Sequence, residues 1–341
     1  MEQTVIDFKS LSRQMRKELA GIGRLRKLVR CLICVVYTIA LAWFAFSIFG
    51  GFFIDRSNYE TSVITGQYVL IVFIVFCVAH YAFMFSFRAL DKQENKTMRN
   101  IIARLFPDAR YTPTGRMDSS LLAHSRLFGT PASTGKFINS TSYGCLDVPV
   151  DGEWMRLADV GVTSANKNDF SSMDFLEVLY QYFVRPIFGA RVESTMHGFR
   201  GMFGYCQLQC PVKGFVMLLP DHLENKIGYW AQTIQSFRQK HGAKFMHLED
   251  PEFERLFVVY ADDEVEARMV LTPAMMRKIT ELRKSFSRDM MFSFNGDMFY
   301  YASDTPDGFL RPGRKSLNDE RLLEQMYREI EFCQMVKTEM R

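Results

Sequence analysis

Residues 31–54, CLICVVYTIALAWFAFSIFGGFFI, and residues 63–87, VITGQYVLIVFIVFCVAHYAFMFSF, contain no Lys, Arg, Asp or Glu, and only the polar segment 55–62 separates them. A helix needs about 20 apolar residues to cross a hydrocarbon core about 30 Å thick, and each stretch exceeds that length. The pattern predicts a transmembrane helix hairpin, 31–54 and 63–87, from which the rest of the 341 residues hang.

Charge sets the expected orientation. Lys9, Arg13, Arg16, Lys17, Arg24, Arg26, Lys27 and Arg30 precede the first stretch, Arg88, Lys92, Lys96, Arg99 and Arg104 follow the second, and Arg56 stands alone between them. The positive-inside rule then predicts both termini on the cytoplasmic side of a cytoplasmic membrane, with only 55–62 outside. The net charge of +4 is concentrated near the apolar pair, which points to anionic lipid headgroups rather than nucleic acid. Seven cysteines in no regular framework predict free thiols in a reducing compartment. The first 30 residues show no short apolar run with a cleavage site, so no signal peptide is expected.

The domain plan read from these patterns is a basic amphipathic arm (1–30), the hairpin (31–87), a connecting helix (88–106), a cytosolic α+β domain (107–310) and a C-terminal amphipathic helix (311–341). In the arm, Leu11, Met15, Leu19, Ile22, Leu25 and Val29 recur at helical spacing. Such a helix either lies on anionic lipid or simply extends the first membrane helix. Gln67 and His80 are the strongly polar side chains inside the apolar runs. They read as a proton relay, as an interhelical contact, or as groups merely satisfied within the helix pair.

Beyond residue 136 the period shifts toward strands: 136–142, 144–150 and 156–163, interrupted by Asp151-Gly152. Residues 174–184 read as helix or strand. Residues 202–210 and 214–219 predict a hairpin through a tight turn at 211–214. Asp221 caps a helix expected to run to about His241, and 244–248 is a short strand. Asp250 followed by Pro251, and Thr272 by Pro273, are helix starts. Between them, 257–260 is a strand, and 262–271 reads as helix or strand, with Val265, Met269 and the neighbouring acids favouring helix. Asn295-Gly296 predicts a hairpin of 290–294 with 298–302. Residues 317–340 form an amphipathic helix with Leu322, Met326, Ile330 and Cys333 along one side. The fold class is α+β: a two-helix membrane hairpin, then mixed helices and antiparallel strand hairpins, then a long C-terminal helix.

Residues 248–273, LEDPEFERLFVVYADDEVEARMVLTP, with FRGMF at 199–203 and VMLLPD at 216–221, resemble the signature of a bacterial membrane-protein family known as domain of unknown function 3137. The resemblance extends over about 97–303. It implies paired transmembrane helices followed by a cytosolic α+β domain. It supplies no activity, catalytic residue or cofactor, and it implies a LemA-type membrane protein as a partner.

The acids of that signature, Glu249, Asp262, Asp263 and Glu266 among them, with Arg268, are the candidate binding residues. Paired carboxylates suit acid–base work or a divalent metal, whereas caps and solvated ion pairs are the plainer account. Arg268 has an apolar setting that predicts a buried ion pair with Glu266 or Glu254. Cys206 and Cys210 would share a strand face, too few ligands for zinc. Gly198, Gly201 and Gly204 lack the Lys-Ser/Thr of a phosphate loop and read as bulge or turn glycines. No catalytic residue, metal or cofactor is assigned. The expected function is a membrane-anchored interaction or scaffold module of an envelope-associated assembly, with a LemA-type protein or a second copy as partner. A metal-dependent hydrolase using 249–268 and a subunit of an oligomeric channel or transporter are the alternatives.

Overall fold

The protein is described by a computed structural model over residues 8–49, 59–128, 137–165, 199–221, 244–286, 288–305, 308–310 and 320–339. Two units divide it, one formed by Gln14–Thr97 and the other by Met98–Arg341 together with Met1–Arg13. The residues expected to form the helix after Asp221 and the segment 174–184 lie outside the described residues.

Two helices dominate the first unit: α1 (Phe8–Phe49) and α2 (Tyr59–Leu105). Among the described side chains of α1 from Ile22 onward, those buried or half-buried are Ile22, Leu25, Val29, Leu32, Val36, Ile39 and Trp43. This alternation of three and four residues is the repeat of helices that pack side by side. Other sides carry exposed Leu28, Val35 and Phe46, and α2 exposes a near-continuous series from Leu70 to Phe85. Hydroxyls in the apolar stretches are satisfied within their own helix: Thr38 donates to the Cys34 carbonyl (2.7 Å) and Ser86 to that of Ala82 (2.9 Å). Among the described residues one helical segment, Phe73–Leu105, is long and apolar enough to cross a membrane. The expected first span, 31–54, is described only as far as Phe49.

The helix expected over 88–106 is the C-terminal part of α2, which runs unbroken to Leu105. Residues 88–96, RALDKQENK, hold neither Pro nor Gly, and Ala, Leu, Lys, Gln and Glu are strong helix formers. The basic arm likewise continues into α1 without a break.

The second unit is built on one antiparallel sheet: β1 (Arg110–Thr112), β2 (Phe137–Val150), β3 (Glu153–Ala165), β4 (Phe199–Gln207), β5 (Phe215–Pro220), β6 (Lys244–Met246), β7 (Phe257–Ala261), β8 (Met290–Asn295) and β9 (Met298–Asp304). Their spatial order is β1-β2-β3-β4-β9-β8-β5-β7-β6. Asp151 and Gly152 both have positive φ (53° and 80°), and Val150 pairs with Glu153. That is the two-residue turn whose twist suits a hairpin. The two strands read at 136–142 and 144–150 are one strand with a register shift between Ser142 and Cys145, where Gly144 adopts φ +126°.

The hairpin expected between 202–210 and 214–219 does not form. β4 pairs with β3 and β9, and β5 pairs with β7 and β8. The β8–β9 hairpin is inserted between them. Its Asn295-Gly296 turn receives the 208–214 connection: Leu208 N donates to the Asp297 carbonyl (2.6 Å), Val212 N to that of Gly296 (2.8 Å), and Gly296 N to that of Gly214 (3.3 Å). The supposed tight turn is a strap over the end of another hairpin.

Helices cover both sheet faces, so the central strands are buried almost throughout, β5 and β7 completely. On one face, α3 (Ser119–His124) and the residues after it bring Leu122, Leu127 and Phe128 onto Phe199, Phe203, Met217, Tyr260 and Tyr300. The opposite face presents Phe257, Phe292 and Tyr301. It meets α4 (Pro251–Glu254) through Phe253 and α7 (Glu320–Glu339) through Phe332, whose ring lies 5.7 Å from Phe292. Two further helices described in this unit are α5 (Glu264–Val270), which packs on β5 and β7, and α6 (Pro273–Phe286), which packs beside α4 and α7.

Candidate functional site

The starts of α4 and α6 and the C-terminal end of α5 line one open groove. Asp250 caps α4, its Oδ1 accepting from Glu252 N (2.9 Å) and Phe253 N (3.1 Å), with Pro251 where no donor is needed. Asp263 caps α5 by accepting from Val265 N (2.8 Å), and Thr272 Oγ1 accepts from Met275 N at the start of α6 (3.2 Å). The groove, of about 490 Å³, is lined by Leu248, Glu249, Asp250, Arg268, Leu271 and Met276 with Pro251, Pro273 and Arg277. Its floor is apolar and its rim carries charges of both signs.

Arg268 crosses this rim. Its Nη2 donates to Glu264 Oε1 (3.0 Å) and its Nη1 to Glu249 Oε1 (3.4 Å). The expected buried partner, Glu266 or Glu254, is not the one it uses: the side chains are 44% exposed in Arg268 and 91% in Glu249. The reason is the helix phase of α5, which turns Ala267 and Val270 inward and Arg268 out. Glu266 Oε2 instead accepts from Lys213 N (3.3 Å), and Glu254 Oε1 from Leu248 N (2.7 Å).

Of the signature residues, then, Glu249 and Arg268 meet in the groove. Asp263 is spent on its cap, and Asp262 lies beside Gly214 at the other side of α5. The constellation of Glu249, Asp262 and Arg268 in a deep cleft, which the hydrolase alternative requires, is not assembled. Among the described residues no three His, Cys, Asp or Glu side chains are grouped to hold a metal ion. On α2, Gln67 is exposed and His80 half-buried.

Cysteines and glycines also part from expectation. β4 ends at Gln207, so Cys206 is buried on it while exposed Cys210 sits in the strap. Burial pushes the Cys206 thiol up to about 12 and the Cys145 thiol to about 11. Gly201 and Gly204 are neither bulge nor turn residues. They lie within β4, where a Cβ at Gly201 would come within 2.0 Å of the Ser303 carbonyl oxygen and one at Gly204 within 2.2 Å of Leu157 Cδ2.

The sequence reading missed the buried charges. Asp159, Arg200 and Glu329 are all at most 2% exposed. Glu329 falls between Met326 and Cys333 on the very side of α7 that the apolar spacing marks as inward, a signal present in the sequence.

Residues 197–341 match the protein family of unknown function DUF3137. The DUF3137 segment begins with β4 and contains every strand from there to β9, the groove and α7. It starts later than the resemblance read over 97–303 and extends to residue 341. β1 to β3 lie outside it, although β3 pairs along β4. No curated protein and no solved structure matches the chain.

Proposed function

We propose that this protein is a membrane-anchored interaction module: α1 and α2 cross the bilayer as a pair, both termini face the cytoplasm, and the sheet unit binds a partner through the 248–277 groove. The observation that carries the reading is the row of bare apolar side chains on α2, Leu70, Ile71, Phe73, Ile74, Val75, Val78, Tyr81 and Phe85, in a stretch without charge. So large an apolar surface on a soluble chain would drive aggregation, whereas a bilayer covers it. Basic residues on the near side of both stretches favour the cytoplasmic orientation.

The binding role rests on the groove, whose apolar floor and mixed-charge rim suit an extended or helical peptide segment of a membrane protein in an inner-membrane assembly. A LemA-type protein and a second copy of the chain are the partners to look for first. Purification from native membranes in mild detergent, with wild type beside Arg268→Glu, tests both parts. A stoichiometric partner lost from the variant supports the reading; recovery of the bare chain in the soluble fraction sinks it.

A further inference from the structure

The acid Glu329 stands inside the contact between α7 and the sheet, and it is fully buried. Its Oε1 accepts from Ser303 Oγ on β9 (3.2 Å) and lies 3.7 Å from Nη1 of Arg288, which precedes β8 and also donates through Nη2 to Gln325 on α7 (2.5 Å). Among the described residues, no hydrogen-bond partner reaches its other buried oxygen, Oε2, or the buried hydroxyl of Tyr301 on the facing strand. Cys333, one turn further along α7, completes the titratable surroundings and is itself buried. One cation at 3.7 Å and one hydroxyl do not replace the water that an ionised carboxylate loses here.

We propose that Glu329 is a proton-operated latch: α7 docks on the sheet with this carboxyl neutral, and ionisation loosens the helix. The sheet face beneath Phe332, with Phe292 and Tyr301, is then uncovered. The latch belongs to the sheet unit and does not depend on how the chain meets a membrane.

Burial, opposed by Arg288 and Ser303, pushes the Glu329 carboxyl up to about 7, well above its ordinary 4.5. A folded-state value raised in this way gives stability that is complete below the ordinary value and is lost as pH rises toward 7. Over that window docking weakens roughly tenfold per pH unit, and above it the loss levels off.

Hydrogen–deuterium exchange of residues 320–339 in the full chain in detergent micelles, corrected for the intrinsic rate, reads this directly. Between pH 5.5 and 7.5 protection of wild-type α7 is expected to fall about 30-fold, the 1.5 units up to the raised value. Glu329→Gln, neutral and of the same shape, keeps its protection within about threefold. A wild-type loss under threefold, or an equal loss in the variant, overturns the latch. Arg288→Met gives a second reading should Glu329→Gln not fold: without the cation the carboxyl rises further, and protection continues to fall between pH 7.5 and 8.5. A profile in Arg288→Met that levels off at the wild-type pH overturns the latch as well.

Discussion

Arg200 and Asp159 form a fully buried ion pair between β4 and β3, joining the DUF3137 segment to the strands before it. The second oxygen of Asp159 accepts from the backbone N–H groups of Phe309 and Leu310, each at 3.0 Å, and the Arg200 guanidinium lies 3.9 Å above the Tyr143 ring. One carboxylate thereby fixes three segments distant in sequence: β3, β4 and the chain after β9.

Removing one member leaves the other charged and buried, which costs about 3–5 kcal/mol. Asp159→Asn and Arg200→Met are each expected to lower stability by that order in urea unfolding of the full chain. Asp159→Asn combined with Arg200→Met costs less than the sum of the two single changes, since no charge is then left alone. Additive losses would show that the pair is not coupled.

At Gly201 the obstacle to a side chain is the backbone oxygen of Ser303, whereas at Gly204 it is the end of the Leu157 side chain. Backbone paired on both sides cannot shift as a leucine methyl can. Gly201→Ala is therefore expected to destabilise by more than about 3 kcal/mol, and Gly204→Ala by about 1–3 kcal/mol. Thermal melting of the two variants side by side checks the order; the reverse order would count against the close approach of β4 to β9.

Local chemistry made much of this fold legible, and long-range pairing did not. The Asp250-Pro251 and Thr272-Pro273 starts, the Asn295-Gly296 hairpin and the Asp151-Gly152 turn each depend on residues within a few positions of one another, and each forms. The partner of β4 depends on a strand about a hundred residues away, so proximity in sequence suggested β5 and the sheet chose β9. The candidate site divides in the same way. The cap at Asp250 follows from its neighbours, whereas the meeting of Arg268 with Glu249 joins residues 19 positions apart.

Exposure separates stability from binding at the groove. Arg268→Ala removes ion pairs that stand in water, so its effect on unfolding is expected to stay within about 1 kcal/mol. Asp263→Ala, which strips the α5 cap, costs about 1 kcal/mol. If the groove binds a partner, Arg268→Ala lowers the partner yield from native membranes at unchanged stability. A yield equal to wild type would separate the groove from the binding surface.

Thiols test the membrane placement without any partner. Cys31, Cys34 and Cys77 are exposed on α1 and α2, Cys210 is exposed in the strap, and Cys145, Cys206 and Cys333 are buried. A charged, membrane-impermeant thiol reagent at pH 8 added to inside-out vesicles is expected to modify Cys210 rapidly and to leave the buried thiols intact, since burial holds them protonated. The deciding residues are Cys34 and Cys77, bare on the protein itself. With hydrocarbon around α1 and α2 they resist the reagent in vesicles and react once detergent-solubilised protein is unfolded in urea. Modification of Cys77 in intact vesicles as fast as Cys210 would mean that water, not lipid, faces α2.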